Sequence, residues 1–348
     1  MATRMKDIAK ALGLSIVTVS KVLNKKDAHI SEATRHRVLE CAHRLDYRPN
    51  LAAKSLVTGQ SNMIGLIVPE LFHGFFAEVA AGMSDALDQQ GYGLIISSSR
   101  DDVKLEVKEV RQMLARNVDA LVIASCNSDS EVLKSADGEV PVVLLDRRVG
   151  DRGAFWLVGV DDLLVGELAT QHLVDIGRKR IAFIGGPDFS PTSDRRDGYL
   201  KVLSKYGIKV TAKWVMRLPR NEESSPVLGA AVMRQLLKAN PKPDAVFCYN
   251  DPTAWGVTLA ALEAGLRVPE DIAVLGCGDN IHNKFFRVPL SSVSQNSRRM
   301  GGEAANLEIR LIRNRSQKVQ QAPMTLLLQP TLIVRDSTAG RQRAKAHL

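Results

Sequence analysis

Residues 5–24 read MKDIAKALGLSIVTVSKVLN, and their pattern specifies how the N-terminal part of the chain folds. Residues 5–12 carry apolar side chains at helical spacing and predict a short amphipathic helix. Gly13 follows at the position where a left-handed residue commonly ends a helix, and Ser15 is a suitable N-cap for a second helix over Ile16–Leu23. Two short helices joined by a glycine-containing turn form a helix-turn-helix unit.

A third helix is predicted to begin after Ser31, which would serve as its N-cap. The apolar positions of this helix cover the helix-turn-helix unit, and they are Val38, Leu39, Ala42 and Leu45. Residues 1–47 are therefore predicted to form a small all-α head of three helices.

The charge of the chain is uneven. Residues 1–60 hold eleven Lys and Arg and five Asp and Glu, a net charge of +6, and residues 341–348 add +3. Since the whole chain carries +9, the residues between these segments sum to zero. A small basic head on a neutral body is typical of a nucleic-acid-binding module joined to another domain. A solvated surface is the alternative explanation for any single charge run.

Composition excludes several classes of protein. The chain has no N-terminal apolar stretch of signal-peptide length, and runs such as 121–124 are too short to cross a bilayer. Its four cysteines are scattered, with no C-x-x-C pair, so neither a metal site nor a disulfide framework is predicted. No nucleophile-base set, P-loop or dinucleotide fingerprint occurs. We therefore expect a cytoplasmic protein that is not an enzyme, uses no metal or cofactor and contacts no membrane.

Several short motifs in the head identify a family. The motifs Asp7-Ile8-Ala9, Gly13-Leu14-Ser15 and Thr18-Val19-Ser20-Lys21-Val22-Leu23-Asn24 closely resemble the head of the lac-repressor/galactose-repressor family. The segments Tyr47-Arg48-Pro49-Asn50 and Ala53-Lys54-Ser55-Leu56 look like the hinge of that family, at the expected distance. The resemblance implies a sequence-specific DNA-binding transcriptional regulator, most often a repressor.

In this unit the second helix lies in the major groove and reads bases. By the resemblance, Ile16, Val17 and Lys21 are at the positions that choose the base sequence. Lys21 can donate to guanine O6 and N7, whereas Ile16 and Val17 can make only apolar contacts, such as with a thymine methyl. Thr18 and Ser20 are predicted to contact phosphates. The alternative for Ile16 and Val17 is ordinary packing inside the head.

Residues 48–61 are predicted to be a hinge. Pro49 ends the preceding helix, and a helix as short as the one that could follow is unstable alone, so it should order only on DNA or against a partner chain. The resemblance implies that two hinge helices of a dimer bind the minor groove, with Leu56 inserted at the central base step and Ala53 nearby. A plain flexible linker is the alternative.

From residue 62 the pattern changes to α/β. Strand-like apolar runs alternate with amphipathic helices, which predicts doubly wound parallel sheets. The pattern is similar to the periplasmic sugar-binding-protein fold of the family's effector domain, up to residues 329–337. We expect an effector-binding and dimerisation domain over residues 62–340, followed by a basic tail, 341–348. The predicted N-lobe is 62–161 plus 293–320, and the predicted C-lobe is 162–292 plus 321–340.

Ligands of such folds bind where the carboxyl ends of the strands meet. The candidate effector-binding residues are His73, Phe75, Asp146, Arg147, Arg195, Asn250, Asp251 and Asp279. Arg195 is placed there by the resemblance, three residues before Gly198. Two alternatives stay open: Asp251 precedes a proline as a good N-cap would, and Asp146 with Arg147 could be a surface ion pair.

Two departures from the family pattern fall at the predicted cleft. Gly276-Cys277-Gly278-Asp279 stands where relatives have Gly, an aromatic residue and an acid, so Gly278 has lost the carboxylate that binds sugar hydroxyls. Phe72-His73-Gly74 replaces the usual Ser-Asn-Pro. These changes predict either an effector bulkier than a simple hexose or differently charged, or altered effector control. Whether Asp279 replaces the lost acid is open.

A head of this size reads half a site, so a homodimer and a roughly palindromic double-stranded operator are predicted. The chain ends without leucine heptads, which favours a dimer over a tetramer. The predicted effector is a carbohydrate-like small molecule whose binding rotates the lobes and alters the hinge spacing. Control by a protein partner and a role as a solute-binding protein are the alternatives. The sequence does not specify induction or co-repression.

Overall fold

The head and the body are two separate compact units that divide after residue 61. The computed structural model describes residues 3–24, 29–48, 59–127, 130–150, 153–219, 225–319 and 321–339. The predicted hinge residues Ala53 and Leu56, and the basic tail 341–348, lie outside the described residues.

The head contains the three predicted helices: α1 (Met5–Leu12), α2 (Ile16–Leu23) and α3 (Glu32–Arg44). Gly13 ends α1 in the left-handed conformation, with φ of 66°. The hydroxyl of Ser15 caps α2 by accepting from the backbone N–H of Thr18 at 3.0 Å. Ser31 caps α3 in the same way.

One of the residues predicted to cover the helix-turn-helix unit does not belong to the core of the head. Val38 is fully buried, together with Ile8 and Val19, but Leu39 is 49% exposed. Successive helical residues are rotated by about 100°, so α3 presents Val38 and Cys41 inward and turns Leu39 towards solvent. The prediction was wrong for Leu39.

The body contains twelve strands among the described residues. They are β1 (Met63–Val68), β2 (Gly93–Ser98), β3 (Ala120–Ile123), β4 (Val142–Leu145), β5 (Trp156–Val160), β6 (Ile181–Gly185), β7 (Val215–Arg217), β8 (Ala245–Cys248), β9 (Ala273–Cys277), β10 (Ser291–Ser294), β11 (Thr325–Leu328) and β12 (Thr331–Ile333).

Helices cover these strands. They are α4 (Gly74–Asp88), α5 (Val103–Ala115), α6 (Glu131–Glu139), α7 (Asp162–Asp175), α8 (Ser190–Lys205), α9 (Ser225–Leu236), α10 (Asp251–Glu263), α11 (Ser297–Ser316) and α12 (Asp336–Ala339), with 3-10 turns at Ala212–Trp214 and Ile281–Lys284. None of these described helices combines the length and the apolar character that crossing a bilayer requires.

The strands form two six-stranded sheets, one in each lobe. The N-lobe order is β11-β5-β4-β3-β1-β2, and the C-lobe order is β12-β10-β9-β8-β6-β7. All pairs are parallel except β10 with β12. Each order reverses direction within the sheet, as in doubly wound folds. The predicted fold class is confirmed.

The predicted lobe boundary near residue 321 was wrong. Thr325–Leu328 pairs with Trp156–Val160 in the N-lobe sheet, so only the chain from β12 onwards returns to the C-lobe. The chain therefore crosses between the lobes three times, after β5, after β10 and after β11. At the last two crossings the side chain of Asn296 donates to the carbonyl of Gln329 at 2.9 Å. The segments that follow β1 and β8 meet, with His73 Nε2 3.3 Å from Asn250 Nδ2, so the carboxyl ends of both sheets face one cleft.

Candidate nucleic-acid interface and inter-lobe cleft

The second helix of the head presents an exposed face at its N-terminal end. Ile16 is 52% exposed and Val17 is 64% exposed, and Lys21 is exposed one turn later. Apolar side chains this open do not belong to the core of the head, so the packing alternative for Ile16 and Val17 was wrong. Their exposure agrees with a surface that meets base edges; the individual base contacts stay predictions.

The two predicted phosphate-contacting hydroxyls are each held by a local hydrogen bond. The Thr18 hydroxyl lies 2.8 Å from the Ser15 hydroxyl. The side-chain amide of Asn24 donates to the Ser20 carbonyl at 2.8 Å and to its hydroxyl at 3.2 Å. The hydroxyl oxygens therefore sit in fixed places along α2, and their contact with phosphate stays a prediction.

In the body, Arg195 lies on α8 and is 4% exposed. Its Nε and Nη2 each lie 2.7 Å from Oδ1 of Asp162. Its Nη1 donates to the backbone carbonyl of Tyr249 at 2.5 Å. Burial opposes the charge on Arg195, but Asp162 and Asp146 more than offset this, so its pKa is raised. Arg195 is thus a permanent buried cation.

Asp146 follows β4 in the left-handed conformation, with φ of 62°, which turns its side chain away from the strand direction. Its Oδ1 accepts from Nε2 of Gln295 at 3.3 Å. Burial raises the pKa of Asp146, against the opposing effect of Arg195 and Arg147. The alternative of a surface pair between Asp146 and Arg147 was wrong, because Arg147 pairs with Asp101 at 2.7 Å.

His73 and Asn250 meet across the cleft. His73 precedes α4 of the N-lobe, and its Nε2 lies 3.3 Å from Nδ2 of Asn250 in the C-lobe. The Phe75 ring, 6% exposed, packs edge-on against Phe76 with centroids 4.9 Å apart. Phe75 therefore supports His73 from the core and offers little surface to a ligand.

Asp251 has a different role from the one predicted by its proline neighbour. The cap of α10 is Asn250, whose Oδ1 accepts from the N–H of Thr253, and Asp251 is the first helical residue. The Asp251 carboxylate accepts from Asn280, Asn283 and Ser292. Burial raises its pKa to about 6 despite these bonds. The capping alternative was wrong, and this carboxylate holds the C-lobe loops together.

Asp279, the residue next to the position that lacks the acid, forms an ion pair with the C-terminal segment. Its Oδ1 lies 2.6 Å from Nη2 of Arg335, which fixes the carboxylate on the C-terminal segment. Gly278 itself has φ of 126°, and a Cβ there would lie 3.3 Å from Oδ2 of Asp251. A side chain at 278 would be strained and, if acidic, would face a second carboxylate. An acid at position 278 therefore does not fit here, and a contact of Asp279 with an effector stays a prediction.

Four residues that contact across the cleft were missed by sequence reasoning: Arg148, Phe189, Ser190 and Asp194. Arg148 forms two hydrogen bonds with the Asp194 carboxylate, at 2.6 and 2.9 Å. The guanidinium of Arg147 lies over the Phe189 ring, 3.7 Å from its centroid. The signal for them was adjacency, since Arg148 follows Asp146-Arg147 and Asp194 precedes Arg195.

Among the described residues, no group of His, Cys, Asp and Glu side chains is arranged to hold a metal ion. The groups that converge on the cleft are hydrogen-bonding side chains and paired charges, which suit recognition of a polar molecule.

Comparison with known proteins agrees with both parts of the structure. Residues 4–50 match the sequence profile of bacterial regulatory proteins of the lacI family, and residues 170–338 match a periplasmic binding protein-like domain. The chain is 31% identical over 345 residues to the HTH-type transcriptional repressor PurR of Pasteurella multocida, which covers 98% of this chain and 100% of that relative. The chain belongs to the lacI family of bacterial regulatory proteins. The family resemblance of the head motifs is confirmed.

Solved structures of this family share the fold over the whole length. The lac repressor dimer bound to operator and the anti-inducer ONPF aligns with a TM-score of 0.82 and 27% identity, over 97% of this regulator and 99% of that chain. The complex of the transcriptional regulator CelR with cellobiose aligns with a TM-score of 0.71 and 27% identity, over 96% and 99%. This regulator is thus a DNA-binding transcriptional regulator with a helix-turn-helix head.

Proposed function

We propose that this regulator is a cytoplasmic repressor that binds a palindromic operator as a homodimer and is controlled by an uncharged, carbohydrate-like effector in the inter-lobe cleft. The cellobiose complex of a structural relative supports this class of ligand. Effector contacts are assigned to His73, Asp146, Arg195 and Asn250. On the DNA side, α2 reads bases with Ile16, Val17 and Lys21, and the hinge residues Ala53 and Leu56 bind the minor groove.

The class of effector is inferred from the ion pairs that the arginines of the cleft form with carboxylates. Each arginine there already has a carboxylate partner: Arg147 has Asp101, Arg148 has Asp194, and Arg195 has Asp162. Burial, helped by Arg147 and Arg195, lowers the pKa of His73 to about 4, so its ring is neutral at pH 7.

An anionic effector would have to break one of these pairs, because the described cleft residues offer it no uncommitted cation. Hydroxyl groups can donate to Asp146 and exchange hydrogen bonds with Asn250 and His73. An uncharged polyol therefore fits this cleft better than a sugar acid or a sugar phosphate.

A thermal-shift panel tests the effector class. Neutral mono- and disaccharides are expected to raise the melting temperature of the body by several degrees, whereas the matching sugar acids and phosphates leave it unchanged. Stabilisation by the phosphates alone would contradict the charge argument. No shift with any compound, while the protein still binds operator DNA, would favour control by a protein partner.

The surface proposed for the dimer is an apolar patch on the C-lobe, consisting of Trp255, Leu259, Ile281, Phe285 and Phe286. Phe285 is 74% exposed, Ile281 59% and Leu259 54%, and the Phe286 ring packs on Trp255 at 5.2 Å. Contiguous exposed apolar surface of this kind marks an interaction site. A second copy is the expected occupant, since the related lac repressor was solved as a dimer.

Replacing Phe285 by glutamate is expected to raise the dimer dissociation constant by at least about tenfold, because an interface centre tolerates a buried charge poorly. Analytical ultracentrifugation over a concentration series measures this constant. Val210→Glu makes the same kind of substitution at an exposed apolar residue outside the patch and should leave the constant unchanged. Equal dissociation constants for Phe285→Glu and wild type would place the dimer interface elsewhere.

A further inference from the structure

The loop after β4 makes the main polar connection across the cleft. In this loop the guanidinium of Arg148 forms a bidentate pair with Asp194 on α8. The backbone N–H of Arg148 also donates to the hydroxyl of Ser190 at 2.9 Å. One residue of the N-lobe therefore makes three hydrogen bonds to the first turns of a C-lobe helix.

Arg147 adds a stacking contact beside this pair. Its guanidinium lies 3.7 Å above the centroid of the Phe189 ring, while Nη1 donates to Asp101 at 2.7 Å. Asp101 holds the guanidinium from the N-lobe side, and the Phe189 ring receives its face from the C-lobe side. Arginine is suited to this double use because its plane stacks while its edge donates.

We propose that Arg147 and Arg148, with Phe189, Ser190 and Asp194, form an arginine clasp that holds the two lobes closed by contacts of the chain itself. The proposal rests on the proposed function, since it assigns the clasp to the allosteric body of a repressor. The proposal goes beyond that function because it makes the lobe arrangement without effector depend on the residues of the clasp. An effector that binds the closed lobes more tightly than the open lobes then adds to the effect of the clasp, and one with the opposite preference opposes it.

The strength of the clasp follows from its partial burial. The Arg148 and Asp194 side chains are 31% and 24% exposed, so water and salt screen the pair less than they screen a surface pair. Bidentate geometry further strengthens an arginine–carboxylate contact. Both partners return to water when the lobes open, so each can be mutated without leaving a buried charge.

The lobe distance can be measured directly by single-molecule energy transfer. All four native cysteines are buried, so dyes can be attached to cysteines introduced at the exposed residues Lys108 in the N-lobe and Lys209 in the C-lobe. The Arg148→Gln and Asp194→Asn variants are each expected to lower the ratio of closed to open molecules about tenfold. Raising NaCl from about 0.05 M to 1 M should lower this ratio in wild type but hardly in Arg148→Gln.

Two further variants make the test specific. The exchange of charges in the double variant Arg148→Asp/Asp194→Arg should recover part of the closed population, which a general loss of structure would not allow. Arg267→Gln is the matched control, because Arg267 also pairs with an aspartate through two nitrogens, but inside one lobe. It should leave the lobe distances unchanged.

An unchanged distance distribution in both Arg148→Gln and Asp194→Asn would overturn the clasp. This failure is distinct from failure of the proposed function. If wild type binds operator DNA while the clasp variants keep the wild-type distances, only the clasp is wrong. If wild type binds no DNA sequence selectively, the proposed function is wrong whatever the distances are.

Discussion

Replacing Asp162 by alanine is expected to lower the free energy of unfolding of the body by about 3–5 kcal/mol. The Asp162 and Arg195 side chains are 4% and 5% exposed, and their closest atoms are 2.7 Å apart. Removing the carboxylate leaves the Arg195 cation buried beside Tyr249 with its main partner gone. Urea unfolding followed by tryptophan fluorescence measures the change, because Trp156, Trp214 and Trp255 all lie in the body.

A second ion pair between the same two helices provides the control. Lys201 on α8 pairs with Glu167 on α7, but the side chains are 63% and 26% exposed. Glu167→Ala should therefore cost less than about 1 kcal/mol. Adding Arg195→Met to Asp162→Ala should recover stability, since the uncompensated charge is then gone. A cost for Asp162→Ala no larger than that for Glu167→Ala would show that Arg195 finds another partner.

Much of the body could be predicted because its central strands are continuous apolar runs. The apolar runs over residues 63–68 and 93–98, for example, coincide with β1 and β2. β10, in contrast, reads Ser-Ser-Val-Ser, and Ser291 and Ser292 are fully buried. Their hydroxyls bond to the Arg335 carbonyl and to Asp251, so the strand is buried through polar contacts that hydrophobic periodicity does not detect.

The sequence predicted which segments lie at the cleft, but not which side chains pair with each other across it. Asp146 and Asn250 were found because they follow strands, and the ends of parallel strands meet. The pairing of Arg148 with Asp194 joins residues from different lobes, and that depends on the lobe arrangement, which no local pattern encodes. The N-cap of α10 is Asn250, one residue before the Asp251 that the sequence suggested. Asp and Asn can both cap a helix, and the residue at which the backbone becomes helical determines which of them does so.

Replacing Lys21 by alanine is expected to weaken operator binding by about 5- to 150-fold, the range of 1–3 kcal/mol given by a good base contact. Lys21 is exposed on α2, on the helix whose Ile16 and Val17 side chains are also open. Its ammonium is the one cation of α2, so Lys21 is the residue expected to donate to guanine, which the two apolar residues cannot do. The loss should be confined to operator DNA, and the preference at one base pair of each half-site should relax.

Lys10→Ala separates this base contact from simple loss of charge. Lys10 is exposed near the end of α1, in the same head, and its removal changes the net charge equally. It should weaken operator and random DNA by a similar small factor, through the counterion-dependent attraction to phosphates. Fluorescence anisotropy with both DNAs at two salt concentrations gives the four affinities. If Lys21→Ala reduces operator and random DNA binding equally, Lys21 contacts phosphate, and specificity then rests on Ile16, Val17 and the hinge.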